Sequence, residues 1–237
     1  MRRENTLSFN GEERIFVIMS SDRLRRALSY LWPVPIRNIS SATGKLQVRW
    51  ENGHKVLNSK HGNQSFGSLH EVWRRTFKTI ELADRNFNSV LLLGLGGGSV
   101  IHIIRDELKM EIPITVIEID PIMFRLAKDE FGLNTYKHIT VIQGDAIVQL
   151  HSLKKRYDLI VIDLFNDLDM ARGVETNGFA HALRDRCTDG GLICFNTVSH
   201  SVQSAARCER VHTELKKVFN KVDEYQFEGM NRVFVGS

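Results

Sequence analysis

The sequence predicts an α/β protein: a doubly wound, mostly parallel seven-stranded sheet that ends in an antiparallel hairpin and follows a small β-rich element. Three observations carry this. From Ser89 onward, apolar runs of strand length alternate with segments whose apolar residues recur at helical spacing. The first five runs are almost continuously apolar, the pattern of parallel strands covered on both faces. The last two are separated only by Gly229-Met230, too short for a crossover, so they must pair antiparallel.

In chain order, residues 1–22 read as a tail, with strand-like composition only over Arg14 to Met19. Arg23 to Trp32 reads as a short helix with Asp22 available as its N-cap, stopped by Pro33 and Pro35. Lys45 to Trp50 and His54 to Leu57 alternate as strands, and Asn52-Gly53 between them is a two-residue hairpin signal. Residues 23–64 therefore form a small helix-and-hairpin element, and residues 65–237 the main domain. Ser68 and Glu71 have the spacing of a capping box, followed by Leu69, Val72, Trp73, Phe77 and Ile80 on one helical face. Strands are then expected at 89–94, 114–119, 138–143, 158–163, 191–197, 222–228 and 231–236. Helices are expected at 98–109, 121–131, 145–153, 176–187 and 201–219. Asp120-Pro121 supplies an N-cap and a proline at the first helical position.

Composition narrows the function. The 237 residues are 42% hydrophobic and 25% charged, ordinary for a globular domain, and no apolar stretch is long enough to span a bilayer. The N-terminus has Arg2 and Arg3 but lacks the apolar core and small-residue cleavage site of a secretory signal. Cys187, Cys194 and Cys208 are odd in number and lack metal-ligand spacing, so reduced thiols and a cytoplasmic location are expected. The nine histidines form no metal constellation, and no metal is expected. The net charge of +4 is mild, and its scattered Arg and Lys lack the interleaved aromatics of a single-strand groove, which argues against a nucleic-acid partner.

The segment Val90 to Asp120 carries the most chemistry. An apolar run ends in Gly94-Leu95-Gly96-Gly97-Gly98, a helix follows, and a second run ends in Glu118-Ile119-Asp120. Small residues let backbone N–H groups approach a ligand, and an acid at the second strand tip accepts hydrogen bonds from ribose hydroxyls. Nicotinamide enzymes use G-x-G-x-x-G, but Ser99 holds the third glycine position. Gly94, Gly96 and Gly98 instead match G-x-G-x-G, the spacing of S-adenosylmethionine sites. Glu118 is the ribose candidate, and Asp120 is expected to cap its helix. Asp145, in Gln143-Gly144-Asp145-Ala146, can accept from an adenine amino group, cap the next helix, or do both. The closing hairpin resembles the class I methyltransferase architecture, in which the last strand inserts antiparallel between the fifth and sixth.

The fourth strand, Tyr157 to Asp163, is expected beside the first, which places Asp163 in the switch-point crevice. A carboxylate there can orient an amine and take its proton as it attacks the carbon beside a sulfonium. Asp167 and Asp169 follow, either as further substrate groups or as a solvated acidic loop. The turn VLLLGLGGGS, the VIEID tip, the QGDA step and the YDLIVID strand, after the lead-in NGHKVLNSKHGNQSFGSLHEVW, resemble spermidine synthase and its relatives over about residues 45–237.

The resemblance implies aminopropyl transfer from decarboxylated S-adenosylmethionine to an amine, a homodimer, Glu118 on ribose, Asp145 on adenine, and Asp163 as the acid–base residue. Three positions depart from the family. Its turn reads G-G-G-D-G-G, and the Asp that holds the donor's free amine is Gly97 here. Its Asp-Ser-x-Asp-Pro has Asn166 at the second Asp, with Asp167 one place later. Its Tyr, two residues before the helix Glu, is Leu69, with Phe66 the nearest aromatic. His61 and His70 flank this segment. The readings that follow are a spermidine synthase-like transferase acting on a small-molecule amine or other acceptor, a methyltransferase using S-adenosylmethionine, and a non-catalytic nucleoside-binding homologue.

Overall fold

The computed structural model describes residues 22–41, 44–60, 62–227 and 229–237, so the expected strand at Arg14 to Met19 and His61 lie outside the described residues. Helix α1 (Asp22–Leu28) starts with Asp22 as a helical residue and stops before the predicted Trp32. Its exit is tied to the hairpin turn: Asn52 N donates to the Ser29 carbonyl (3.0 Å) and Gly53 N to Ser29 Oγ (2.9 Å). An antiparallel sheet follows, β1 (Val34–Ser41), β2 (Gly44–Glu51), β3 (His54–Asn58) and β4 (Asn63–Ser65), in the order β1-β2-β3-β4. The predicted hairpin is β2–β3, with Glu51 opposite His54.

Strands β1 and β4 are additions that periodicity did not reveal. Pro35 sits in β1, but β1 is an edge strand, where a missing N–H costs no ladder bond, and the register slips between Pro35 and Arg37. Strand β4 is too short to show alternation, and it carries the small sheet through Ser65, past the expected boundary at 64.

The main domain begins with α2 (Ser68–Thr79). The alternation then runs β5 (Val90–Leu93), α3 (Ser99–His102, continuing into a π turn at Ile103–Glu107), β6 (Ile114–Glu118), α4 (Pro121–Asp129), β7 (Ile139–Gln143) and α5 (Ala146–Ser152). After these come β8 (Tyr157–Ile162), a small hairpin β9 (Phe165–Asn166) and β10 (Asp169–Met170), and α6 (Asn177–Arg186). The chain closes with β11 (Cys187–Val198), α7 (Val202–Val218), β12 (Val222–Phe227) and β13 (Asn231–Gly236). The sheet order is β12-β13-β11-β8-β5-β6-β7, with β13 antiparallel between β11 and β12. This is the architecture expected from the sequence.

Helices cover both faces. Val72, Trp73 and Phe77 of α2 pack with Ile101 and Ile104 on one side, while Leu150, Phe179, Leu183, Val211 and Leu215 pack on the other. Val90 to Leu93 are fully buried between them. Burial of each such side chain contributes roughly 1.5–3 kcal/mol relative to exposure. The small sheet rests on the main domain through Leu46, Val48 and Leu57 against Met123, Leu126 and Phe131.

The expected capping box does not form. Gly67 is the N-cap of α2, with no side-chain cap, and Ser68 is the first helical residue. Glu71 instead pairs with Arg74 (2.6 Å) and Arg75 (3.0 Å) one turn on, where two guanidinium groups outcompete a backbone N–H. The other predicted caps are present: Asp120 accepts from Ile122 N (2.9 Å) and Asp145 from Ile147 N (2.8 Å).

Candidate active site

Register brings the predicted residues together. Leu93 of β5 lies opposite Ile117 of β6 and Ile162 of β8, so the next residues, Gly94, Glu118 and Asp163, end their strands side by side. Gln143 of β7 is paired with Glu118, which puts Asp145 just beyond the same edge. Phe195 of β11 is paired with Ile162, which sets Asn196 beside Asp163. A pocket of about 450 Å³ opens here, in the size range of small-molecule sites, lined among others by Gly94, Gly96, Glu118, Asp145, Asp163 and Asn196.

The glycine turn is shaped by its surroundings. A Cβ on Gly94 would lie 2.2 Å from the Asp163 carbonyl oxygen, and its φ is +89°, so glycine is required for β5 and β8 to converge. Gly96 lines the pocket. Gly98 does not; it is the N-cap of α3. Gly97 faces away from the pocket: its N–H donates to Ser65 Oγ (2.6 Å), and a Cβ there would sit 2.9 Å from Ser65 Cβ. Phe66 N donates to Ser99 Oγ (2.9 Å), so the end of β4 is latched to the turn at two points.

Glu118 is buried at the pocket floor. Its Oε2 accepts from Leu95 N (2.8 Å) and its Oε1 from Asp120 N (2.8 Å). Each oxygen keeps a lone pair for a hydroxyl, which suits a ribose diol. Burial pushes its pKa above the usual carboxylate range, while the backbone N–H groups of Asp120, Leu95 and Ile119 hold it down. Asp145 is exposed at the rim and, besides capping α5, lines the pocket. Beside it stand Ile119, 54% exposed although apolar, with Ile147 and Leu164. These form an apolar slot suited to a purine.

Asp163 lines the pocket at the end of β8. Trp73 Nε1–H donates to its Oδ2 (3.1 Å) and Asn196 Nδ2–H to its Oδ1 (2.9 Å), while Asn231 Nδ2–H supports the Asn196 carbonyl (3.0 Å). Burial raises the Asp163 pKa, and the donors from Asn196 and Trp73 only partly offset it. If Asp163 is the group that takes the proton, the acid limb of the rate lies above the ordinary carboxylate pH. Trp73→Phe removes one donor to the anion. The limb of kcat/KM should move to still higher pH, read from the pH–rate profile, and an unmoved limb would contradict this role for Trp73.

Asp167 also lines the pocket, in a left-handed turn between β9 and β10, and accepts a hydrogen bond from Ser59 Oγ in the small sheet's last loop. Asp169 is exposed, outside the pocket, near His200 (3.5 Å). Phe66 is not in this pocket. It has φ +61° and stacks on Phe131 (4.8 Å) and His70 (5.5 Å) beside a separate groove. Arg207 braces the pocket's outer wall, donating to the carbonyls of Met170 (2.8 Å) and Ala171 (2.7 Å) while pairing with Glu175.

Sequence reading missed Trp73, Asn196 and Ile119. Trp73 reads as core at helical spacing and is core, with only its N–H turned to the site. Asn196 was detectable as the amide, next to Thr197, inside the otherwise apolar run Leu192 to Val198. Among the described residues no group of His, Cys, Asp or Glu could hold a metal ion, and no helix is long and apolar enough to cross a membrane.

These residues fit an adenosine-bearing donor: a buried acid at the end of β6, an apolar slot, and a second carboxylate at the end of β8. The chain is 32% identical over 115 residues to a polyamine aminopropyltransferase of Vibrio vulnificus, covering 47% of this chain and 38% of that protein. It is 36% identical over 146 residues to an eEF1A lysine and N-terminal methyltransferase of Danio rerio, covering 56% of this chain and 21% of that one. The matches thus span well under two thirds of either relative. The human Methyltransferase-like protein 13, solved in complex with SAH, shares the fold with a TM-score of 0.59 at 22% identity, over 73% of this chain and 82% of that one. The relatives are transferases of two kinds, aminopropyltransferases and methyltransferases. The spermine/spermidine synthase domain matches residues 78–228, and the chain belongs to that family.

Proposed function

We propose that the pocket binds S-adenosylmethionine and that the chain transfers its methyl group to an amine. In this reading Glu118 holds the ribose, Asp145 and the Ile119 slot hold the adenine, and Asp163 receives the amine. When bound, the donor supplies an electrophilic carbon beside a positive sulfur; nitrogen bonds to that carbon as the C–S bond breaks, and the bonding pair leaves on sulfur as a neutral thioether. Asp163 orients the amine through a free carboxylate lone pair and takes the proton that nitrogen loses. Its raised pKa makes it a stronger base than an exposed Asp once ionised. Trp73 and Asn196 fix its orientation.

The observation that favours methyl over aminopropyl transfer is Gly97. The family's donor-amine Asp is missing, and its place is closed by Ser65 and Phe131. Restoring the acid by Gly97→Asp should therefore cost about 1–3 kcal/mol through overpacking, seen as a lower Tm, without shifting donor preference toward the decarboxylated form. A variant of unchanged Tm that prefers the decarboxylated donor would contradict this. The direct test offers both donors with an amine acceptor and identifies the nucleoside product. S-adenosylhomocysteine is expected; methylthioadenosine in its place would assign aminopropyl transfer instead.

A further inference from the structure

A second, larger cavity lies beside the donor pocket. It has a volume of about 1230 Å³ and runs between the small sheet, the N-terminal part of α2 and the C-terminal end of α3 with the π turn that follows it. Gly62 and Ser68 line both cavities, so the two meet at a neck. Asp167 stands on the donor side of this neck, held by Ser59 from the groove side. An acceptor lying in the groove would thus reach Asp163 past a second carboxylate.

The chemistry of the walls says what such an acceptor is. Five Lys or Arg and five Asp or Glu side chains line the groove. Several are already paired: Arg74 with Glu107 (2.7 Å), Arg49 with Glu51 (2.8 Å) and Lys55 with Glu130 (3.5 Å). A free diamine needs a narrow acidic channel, and cations on its path repel it. A groove with balanced charges and a volume several times that of a small amine suits a chain of mixed side chains. One wall is aromatic, with Phe66 stacked on Phe131 and His70. Gln47, Asn52 and Asn58 line the same groove with amide side chains.

Building on the donor reading above, we propose that this groove binds a polypeptide. One of its amines, an α-amine or a lysine, passes the Gly62–Ser68 neck to Asp163, with Asp167 receiving the ammonium on the way. Peptide α-amines titrate near pH 8, so a free N-terminus would arrive partly deprotonated and need less from the base than a lysine.

The test uses the full chain and arrays of short peptides carrying free N-termini or lysines, with fully acetylated copies and putrescine as controls. Either donor is supplied, and products are read by mass spectrometry. Modified free-amine peptides are expected, with acetylated copies blank and putrescine poorer in kcat/KM. Arg74→Gln and, separately, Lys55→Gln each remove one cation from the groove wall and should raise the peptide KM by about tenfold or more at nearly unchanged kcat, with a Tm on each variant to show that the fold is kept. Putrescine used as well as any peptide, no modified peptide from a protein that binds methylthioadenosine, or an unchanged KM in both variants would overturn the groove assignment. Failure to bind methylthioadenosine would instead overturn the donor reading beneath it.

Discussion

Asp163→Asn is expected to lower kcat by about 10²–10⁴, the range for loss of a positioned acid–base group, while donor affinity stays within a few-fold. The asymmetry follows from position. Asp163 ends β8 and Glu118 ends β6, on opposite sides of β5, so in the proposed reading one carboxylate serves the acceptor and the other the nucleoside. The substitution is nearly isosteric but not silent. Both oxygens of Asp163 accept hydrogen bonds, from Trp73 and Asn196, and the Asn196 carbonyl is already engaged by Asn231. An amide NH₂ must therefore face one of two donors, which costs roughly 1–3 kcal/mol. The measurements are steady-state kinetics, a donor titration and a Tm on one preparation. A Tm drop with unchanged kcat would leave Asp163 a structural residue, and the acid limb of the pH profile should vanish only if it is the base.

Glu118→Gln is expected to act in the opposite sense, weakening donor binding by about a hundredfold. The carboxylate serves two sets of partners at once: Leu95 N and Asp120 N from the protein, and the ribose hydroxyls from the ligand. Hydrogen bonds to a charged acceptor are worth about 1.5–3 kcal/mol each, and each 1.4 kcal/mol is tenfold. Glutamine keeps the shape but replaces one acceptor by a donor, which confronts either Leu95 N–H or Asp120 N–H. The tip of β6 and the glycine turn would then lose the link that holds them together. The same calorimetric titration reads the affinity, and a Gln variant that binds like the parent would remove Glu118 from the nucleoside site.

Much of this was legible because the relevant information is local. The Gly94–Gly98 turn, Asp120-Pro121 and Asn52-Gly53 each encode a backbone path within a few residues, and the structure follows each of them. The antiparallel pairing of the last two strands was legible too, since Gly229-Met230 leaves no length for a crossover. The misses are non-local. Whether Ser68 caps α2 depends on Glu71, which Arg74 and Arg75 draw away. Phe66 was legible as an aromatic near the gate, but its left-handed backbone and the Phe66–Ser99 latch turn it to the groove instead of the pocket. Gly97 was read as a lost acid. That Ser65 and Phe131 fill the vacated direction required the position of β4, a strand too short to announce itself. Trp73 illustrates the general difficulty: helical spacing identifies a buried ring, but not that its one polar atom meets a carboxylate from a strand ninety residues on.

The central claim is that the crevice at the ends of β5, β6 and β8 is a nucleoside site with separate binding and reacting ends. Calorimetric titration of methylthioadenosine into the parent chain, Glu118→Gln and Asp163→Asn tests it most directly, because this ligand carries the nucleoside without the transferable group. Saturable binding by the parent, preserved in Asp163→Asn and lost in Glu118→Gln, is the predicted result. No saturable binding by the parent, or equal affinity in Glu118→Gln, would contradict it.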